Sequence, residues 1–169
     1  MIESYIAIEG PIGVGKTSLA EIIADKLNTR KVLEKFKDNP FLEGFYDDPD
    51  ANAFQTQIFF LLQRYQQQQK EIRQLNVYQK GVVTDYMFEK DRLFASFTLK
   101  SQAENELYGH VADILEKDVV KPDLVVYLQA DTSRLMKNIK KRGRKFEKGV
   151  TFDYIDVVNQ RYQEFFVNY

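Results

Sequence analysis

The 169-residue chain has no cysteine and a single histidine, His110. It has no apolar run near the roughly 20 residues that would span a bilayer. The missing cysteine excludes a disulfide framework and any thiolate-held metal, and it suits a reducing compartment. His110 stands in a helical stretch without a second ligand beside it and is read as structural. A dominant charge is lacking too. Lys and Arg number 24 and Asp and Glu 25, a formal net charge of −1, so no nucleic-acid or membrane-surface partner is expected. A charged-then-apolar secretion signal is also missing from the N-terminal residues, and the expectation is a cytoplasmic protein. The length fits one domain, residues 1–169.

What is present is an ordinary globular balance, 44% hydrophobic and 29% charged, with one local anomaly. Between Arg134 and Lys148 stand Arg134, Lys137, Lys140, Lys141, Arg142, Arg144, Lys145 and Lys148 against one acid, Glu147. The rest of the chain is therefore acidic on balance, and the basic segment needs a reason.

Short apolar runs alternate with helically spaced segments. Strands are predicted at Ser4 to Glu9, in RKVLEK (30–35), in GVVTD (81–85) and in DLVVYLQ (123–129). Helices are predicted over 16–27, briefly between Pro40 and Pro49, from about Ala51 to Tyr78, over 89–100 and 101–120, from Thr132, and over 150–166. In the long helix Phe54, Ile58, Leu61, Leu62 and Tyr65 are expected on one face, and the QQQQ run at 66–69 is read as a polar face. Continuous apolar strands between helices predict an α/β fold in three layers, a short parallel sheet flanked by helices.

Gly10, four residues, then Gly15, Lys16 and Thr17 form the pattern G-x-x-x-x-G-K-[ST], with a strand before it and a helix after it. Glycines let the backbone wrap an anion with its N–H groups, and the helix start adds its positive end. The loop residues Gly10, Pro11, Ile12, Gly13, Val14, Gly15, Lys16, Thr17 and Ser18 are thus predicted to hold the phosphates of a nucleoside triphosphate. Lys16 would reach the β- and γ-phosphates, and the Thr17 hydroxyl a Mg²⁺ ion.

Other residues decide where the phosphoryl group goes. Asp85, closing the third strand, is the expected second magnesium partner. The Asn-Lys-x-Asp motif of small GTPases is absent. Arg142 and Arg144 flank Gly143 and could close as a lid, about residues 141–150, over a transferring phosphoryl. Glu147 faces either a neutral, hydroxyl-bearing acceptor or solvent. Glu34, after the second strand, could take a hydroxyl proton. Gln57 and Arg64, seven apart, share a helix face and either meet a nucleobase edge or are two surface polar residues.

These stretches, EGPIGVGKTSLA, NPFLEGFYDDP, AFQTQIFFLLQRY, TDYMFEKDRLFA and IKKRGRKFEKGV, together resemble the bacterial deoxynucleoside kinases of the deoxyguanosine and deoxyadenosine branch, across essentially the whole chain. The resemblance implies a P-loop NTPase-type kinase using ATP and Mg²⁺ on the 5′-hydroxyl of a deoxynucleoside, a purine one in that branch. By similarity Glu34 accepts the hydroxyl proton, Tyr46 and Glu147 hold the sugar 3′-hydroxyl, Gln57 pairs with the base, Arg64 and Asp91 stand near it, and Arg142 and Arg144 are the lid. A homodimer through helices of the 40–120 region is implied in the same way. The family's acid-Arg-Ser signature reads Asp85-Tyr86-Met87 here, so the missing arginine's contact is expected from Arg92 or from the lid. Relatives continue past Tyr169 into a fifth strand and a loop against the adenine, which makes this chain look shortened. Two alternatives stand beside the kinase reading. A thymidylate-type monophosphate kinase would need basic residues around its acceptor, where this sequence puts Glu34, Asp91 and Glu147. A non-catalytic nucleotide-binding remnant would have lost the adenine loop.

Overall fold

The structure, a computed structural model, describes residues 4–73 and 81–169. Four strands, β1 (Ser4–Glu9), β2 (Arg30–Val32), β3 (Gly81–Thr84) and β4 (Leu124–Tyr127), form one parallel sheet in the order β2-β3-β1-β4. Ser4 pairs with Gly81, Ile6 with Leu124, and Arg30 with Val82. Helices α1 (Lys16–Leu27), α2 (Leu42–Asp47), α3 (Pro49–Gln67), α4 (Lys90–Thr98), α5 (Gln102–Glu116), α6 (Thr132–Arg142) and α7 (Phe152–Val167) surround it.

Strand alternation builds the three layers. Ile8 and Val83 turn to one face, where Ala20 and Ala24 of α1 cover them. Tyr5, Ala7 and Val82 turn to the other, against Ile72 and, from α7, Phe165 and Phe166. Both faces are buried, which is why these strands read as unbroken apolar runs. A second cluster, Phe45, Leu61, Phe88 and Tyr108, joins α2, α3 and α5 beside the sheet.

Helix ends follow local chemistry. Asp48 accepts from Ala51 N–H at 3.2 Å, with Pro49 opening α3. Thr151 caps α7 by accepting from Tyr154 N–H at 3.2 Å. Gly143 ends α6 in the left-handed conformation, φ 63°.

Two expectations change. The QQQQ run is not a solvated face. The chain passes from α3 into a π turn, Gln68–Ile72, and three of the four amides tie that turn down. Gln67 donates to Leu33 O at 2.8 Å, Gln68 to Val120 O at 3.4 Å and Gln69 to Asp118 O at 3.0 Å. The extra residue of a π turn swings consecutive side chains onto protein that an α-helix would have missed. The stretch of the expected helix beyond Arg73, to Tyr78, lies outside the described residues. Of the expected apolar face, Phe54, Ile58, Leu61 and Tyr65 pack in or against the core while Leu62 is 41% exposed, and a buried face of α3 also runs through Ala53, Thr56, Gln57 and Arg64. Polar residues there are buried because that face borders a cleft. Among the described residues, no helix is long and apolar enough to cross a membrane.

Candidate active site

The cleft lies at the carboxyl ends of the strands and holds about 650 Å³. The loop between β1 and α1 forms its floor. Gly10 has φ 148° and Gly13 φ 86°. A Cβ on Gly10 would lie 2.5 Å from Leu128 O, and one on Gly13 2.9 Å from Leu135 O and the Ile139 side chain, so the residue after β4 and helix α6 press directly on the loop. Asn138 of α6 adds a tether, donating to Gly13 O at 2.8 Å.

Lys16 Nζ folds back onto Gly10 O at 2.7 Å and Pro11 O at 3.2 Å. Burial, helped by the Lys90 charge, lowers its pKa to about 8 against the pull of Glu9, Glu34 and Asp85. Thr17 Oγ1 donates to Asp85 Oδ2 at 2.5 Å, and Asp85 Oδ1 accepts from Glu34 N–H at 2.7 Å. One carboxylate therefore joins the phosphate loop to the segment carrying Glu34. This hydroxyl and carboxylate are hard oxygen donors and fit a Mg²⁺ that takes its remaining ligands from phosphate and water. Among the described residues, no cluster of three or more acidic, histidine or cysteine side chains could hold a metal alone.

Glu34 stands two residues beyond β2, with its side chain 14% exposed. Lys90 Nζ donates to both its oxygens, at 3.0 and 2.8 Å, and Arg64 Nη2 donates to Oε1. Burial alone would push its pKa up. Lys90 and Arg64 outweigh that and hold the carboxyl well below the usual carboxylate range. Arg64 also donates to Asp91 Oδ1, and its guanidinium lies 4.8 Å from the Phe60 ring centre. Asp91 Oδ2 is buried without a partner. Burial raises the Asp91 pKa to about 7 despite Arg64 and Lys90. Gln57 is buried on the same wall.

The opposite wall is the lid. Arg142 forks onto Glu147, with Nε 2.9 Å from Oε2, and Arg144 Nη1 is 3.6 Å from Glu147 Oε1. The Arg144 guanidinium sits 4.0 Å from the Phe36 ring centre, so the lid reaches across to the turn after β2. Tyr46 stacks on Phe146 of the lid at 6.4 Å, with Tyr154 edge-on at 6.0 Å. Burial and the Glu147 charge raise the Tyr46 pKa.

The cleft thus brings together Lys16, Thr17, Glu34, Tyr46, Gln57, Arg64, Asp85, Asp91, Arg142, Arg144 and Glu147, all expected from the sequence. Arg92 is a correction. It pairs with Glu116 and Asp113 of α5, at 2.5 Å for Asp113, because the α4 turn that buries Asp91 points the next residue outward. His110 is exposed on α5. Sequence reasoning missed Lys90 and Asn138, and also Glu9. The Glu9 carboxylate accepts from Gly10 N–H at 2.8 Å, Met87 N–H at 3.0 Å and the Tyr162 hydroxyl at 3.0 Å. Only an acid inside an apolar strand end hinted at Glu9.

The chain is similar to known proteins along most of its length. Residues 6–169 match the family described as Deoxynucleoside kinase. The chain is 36% identical to a deoxyguanosine kinase of Bacillus subtilis, over 94% of the chain and 76% of that relative. It is 34% identical to a deoxyadenosine kinase of Dictyostelium discoideum, over 96% of the chain and 66% of the relative. A solved deoxyadenosine kinase from M. mycoides with bound dATP superposes with a TM-score of 0.84 at 27% identity, covering 97% of this chain and 84% of that one.

Proposed function

The chain belongs to the deoxynucleoside kinase family, and from that premise we propose that it is an ATP-dependent kinase of purine deoxynucleosides acting on the 5′-hydroxyl. One observation carries this reading. A phosphate loop with Lys16, Thr17 and Asp85 opens directly onto a pocket lined by Glu34, Asp91 and Glu147. Those acids hold Arg64, Lys90, Arg142 and Arg144 rather than leaving them free for an anionic acceptor, and their carboxylate oxygens can accept from the hydroxyl and N–H donors of a neutral sugar and base.

In the proposed reaction, the loop N–H groups and Lys16 hold the triphosphate. When bound at Thr17 and Asp85, Mg²⁺ would offset the charge of the β- and γ-phosphates. Glu34 accepts the proton of the 5′-hydroxyl, Tyr46 and Glu147 orient the 3′-hydroxyl, and Gln57 and Asp91 read the base. Arg142 and Arg144, partly neutralised by Glu147, are placed to turn toward the transferring phosphoryl. We place the enzyme in the cytoplasm, where ATP is supplied, as one domain spanning 1–169.

The test is an assay of the four deoxynucleosides and dTMP with ATP and Mg²⁺. Purine deoxynucleosides are expected to give monophosphate with the highest kcat/KM. Transfer to dTMP alone would overturn the reading.

We also propose a homodimer through α3 and α5. Leu62 on α3 (41% exposed) and Leu107 (53%) and Ile114 (67%), seven apart on α5, are large apolar side chains left exposed on two helices that pack together. Sedimentation is expected to give twice the chain mass of 19.9 kDa. The double variant Leu62→Glu, Ile114→Glu should sediment as a monomer.

A further inference from the structure

We propose that Lys90 is a positioning residue for phosphoryl transfer: it grips both oxygens of Glu34, fixing the carboxylate in the cleft, and keeps a positive charge beside Oε2, the oxygen that Arg64 leaves to meet the acceptor hydroxyl. This rests on the reading of Glu34 as proton acceptor.

Local chemistry argues against a lysine at this position. Lys90 is the first residue of α4, at the positive end of the helix, where an acid or a small polar side chain would be favoured. Its side chain is only 9% exposed, and burying an ammonium is costly without an anion. The observed compensation is Glu34. It is the salt-bridge partner of Lys90 among the described residues, at 2.8 Å from Oε2 and 3.0 Å from Oε1.

The two oxygens of Glu34 are not equivalent. Oε1 accepts from both Arg64 and Lys90, while Oε2 accepts from Lys90 alone. Oε2 therefore keeps the free lone pair that can take a proton. Of the other cations of the cleft, Arg64 meets Glu34 only at Oε1 and also holds Asp91. Lys16 lies on the loop carbonyls, and Arg142 and Arg144 lie on Glu147. Tyr86, directly after Asp85, is fully buried and supplies no charge.

In the transfer, the acceptor O–H bond breaks and its proton goes to Glu34 Oε2. The acceptor oxygen's electron pair forms the new bond to the γ-phosphorus. The bond from that phosphorus to the bridging oxygen breaks, and its electrons leave on ADP. Glu34 becomes neutral as the acceptor oxygen gains an anionic phosphoryl group. The Lys90 ammonium, already beside Oε2, then faces that new charge, so one cation serves both stages.

The experiment compares Lys90→Met, Lys90→Arg and Glu34→Gln with the wild type, using deoxyguanosine and ATP. Lys90→Met is expected to lower kcat about thirtyfold while the deoxynucleoside KM changes less than about threefold. Lys90→Arg, which keeps the charge, should recover most of the loss. If Lys90→Met unfolds, Lys90→Gln is read in its place against Lys90→Arg. An unchanged kcat, a loss confined to KM, or equal losses in the Arg and uncharged variants would overturn the inference. Failure of the underlying reading looks different: Glu34→Gln would then keep its kcat.

Discussion

Replacing Glu34 by Gln should lower kcat about 10³-fold while leaving ATP binding within about threefold, the size expected for losing a positioned general base. The amide fills the same space but offers no oxygen able to take a full proton. The phosphate loop is untouched, because Asp85 meets the backbone N–H of residue 34 and not its side chain. The depressed pKa of Glu34 keeps the carboxylate ionised at any working pH. It is a weak base toward a free alcohol, yet in a loose transition state the hydroxyl loses its proton late, after it has become acidic through bonding to phosphorus. Steady-state turnover with deoxyguanosine, together with equilibrium titration of ATP, checks both halves. Loss of ATP binding along with turnover would show that residue 34 acts through the shape of the loop.

Most of the sheet and the phosphate loop was legible because their signals are local. β1 and α1 fall on the residues the pattern predicted, since a strand buried on both faces must be apolar throughout and the turn must be glycine-rich. The Thr17–Asp85 pair could be expected because both residues sit at strand or loop ends that a parallel sheet brings to one edge. Lys90 and Arg92 show where that legibility ended. Both are basic residues at the start of α4, and sequence favours neither. Two positions along a helix differ by about 200° around its axis, so one is sent into the cleft and the other to α5. That choice depends on how α4 is rotated against α3 and α5, which no local pattern encodes. The glutamine run failed for a similar reason: a π turn shifts the helical phase, and the amides found carbonyl partners distant in sequence.

The same rotation buries Asp91, and there the second large effect is expected: Asp91→Asn should cost deoxyguanosine about 10² in kcat/KM and remove a pH dependence of base choice. Arg64 occupies one Asp91 oxygen, and the other is buried without a partner, in a residue that lines the cleft together with Gln57. Burial raises the pKa to about 7, with Glu34 and Glu9 pushing the same way and Arg64 and Lys90 opposing. Below that pH the free oxygen carries a proton and donates; above it the oxygen accepts. Guanine presents its N1–H and N2 amino donors, which suit the ionised form, whereas adenine N1 is an acceptor and suits the protonated one. The ratio of kcat/KM for deoxyguanosine over deoxyadenosine should therefore rise roughly tenfold or more from pH 6 to pH 8, as one charge-assisted hydrogen bond of about 1.5–3 kcal/mol is exchanged. In Asp91→Asn the amide can donate or accept at any pH, so the ratio should become flat. Arg64 would then keep Glu34 as its remaining carboxylate partner, and a thermal melt separates loss of fold from loss of recognition. A ratio that stays level in the wild type across this range would mean that Asp91 serves Arg64 alone and that Gln57 reads the base without it.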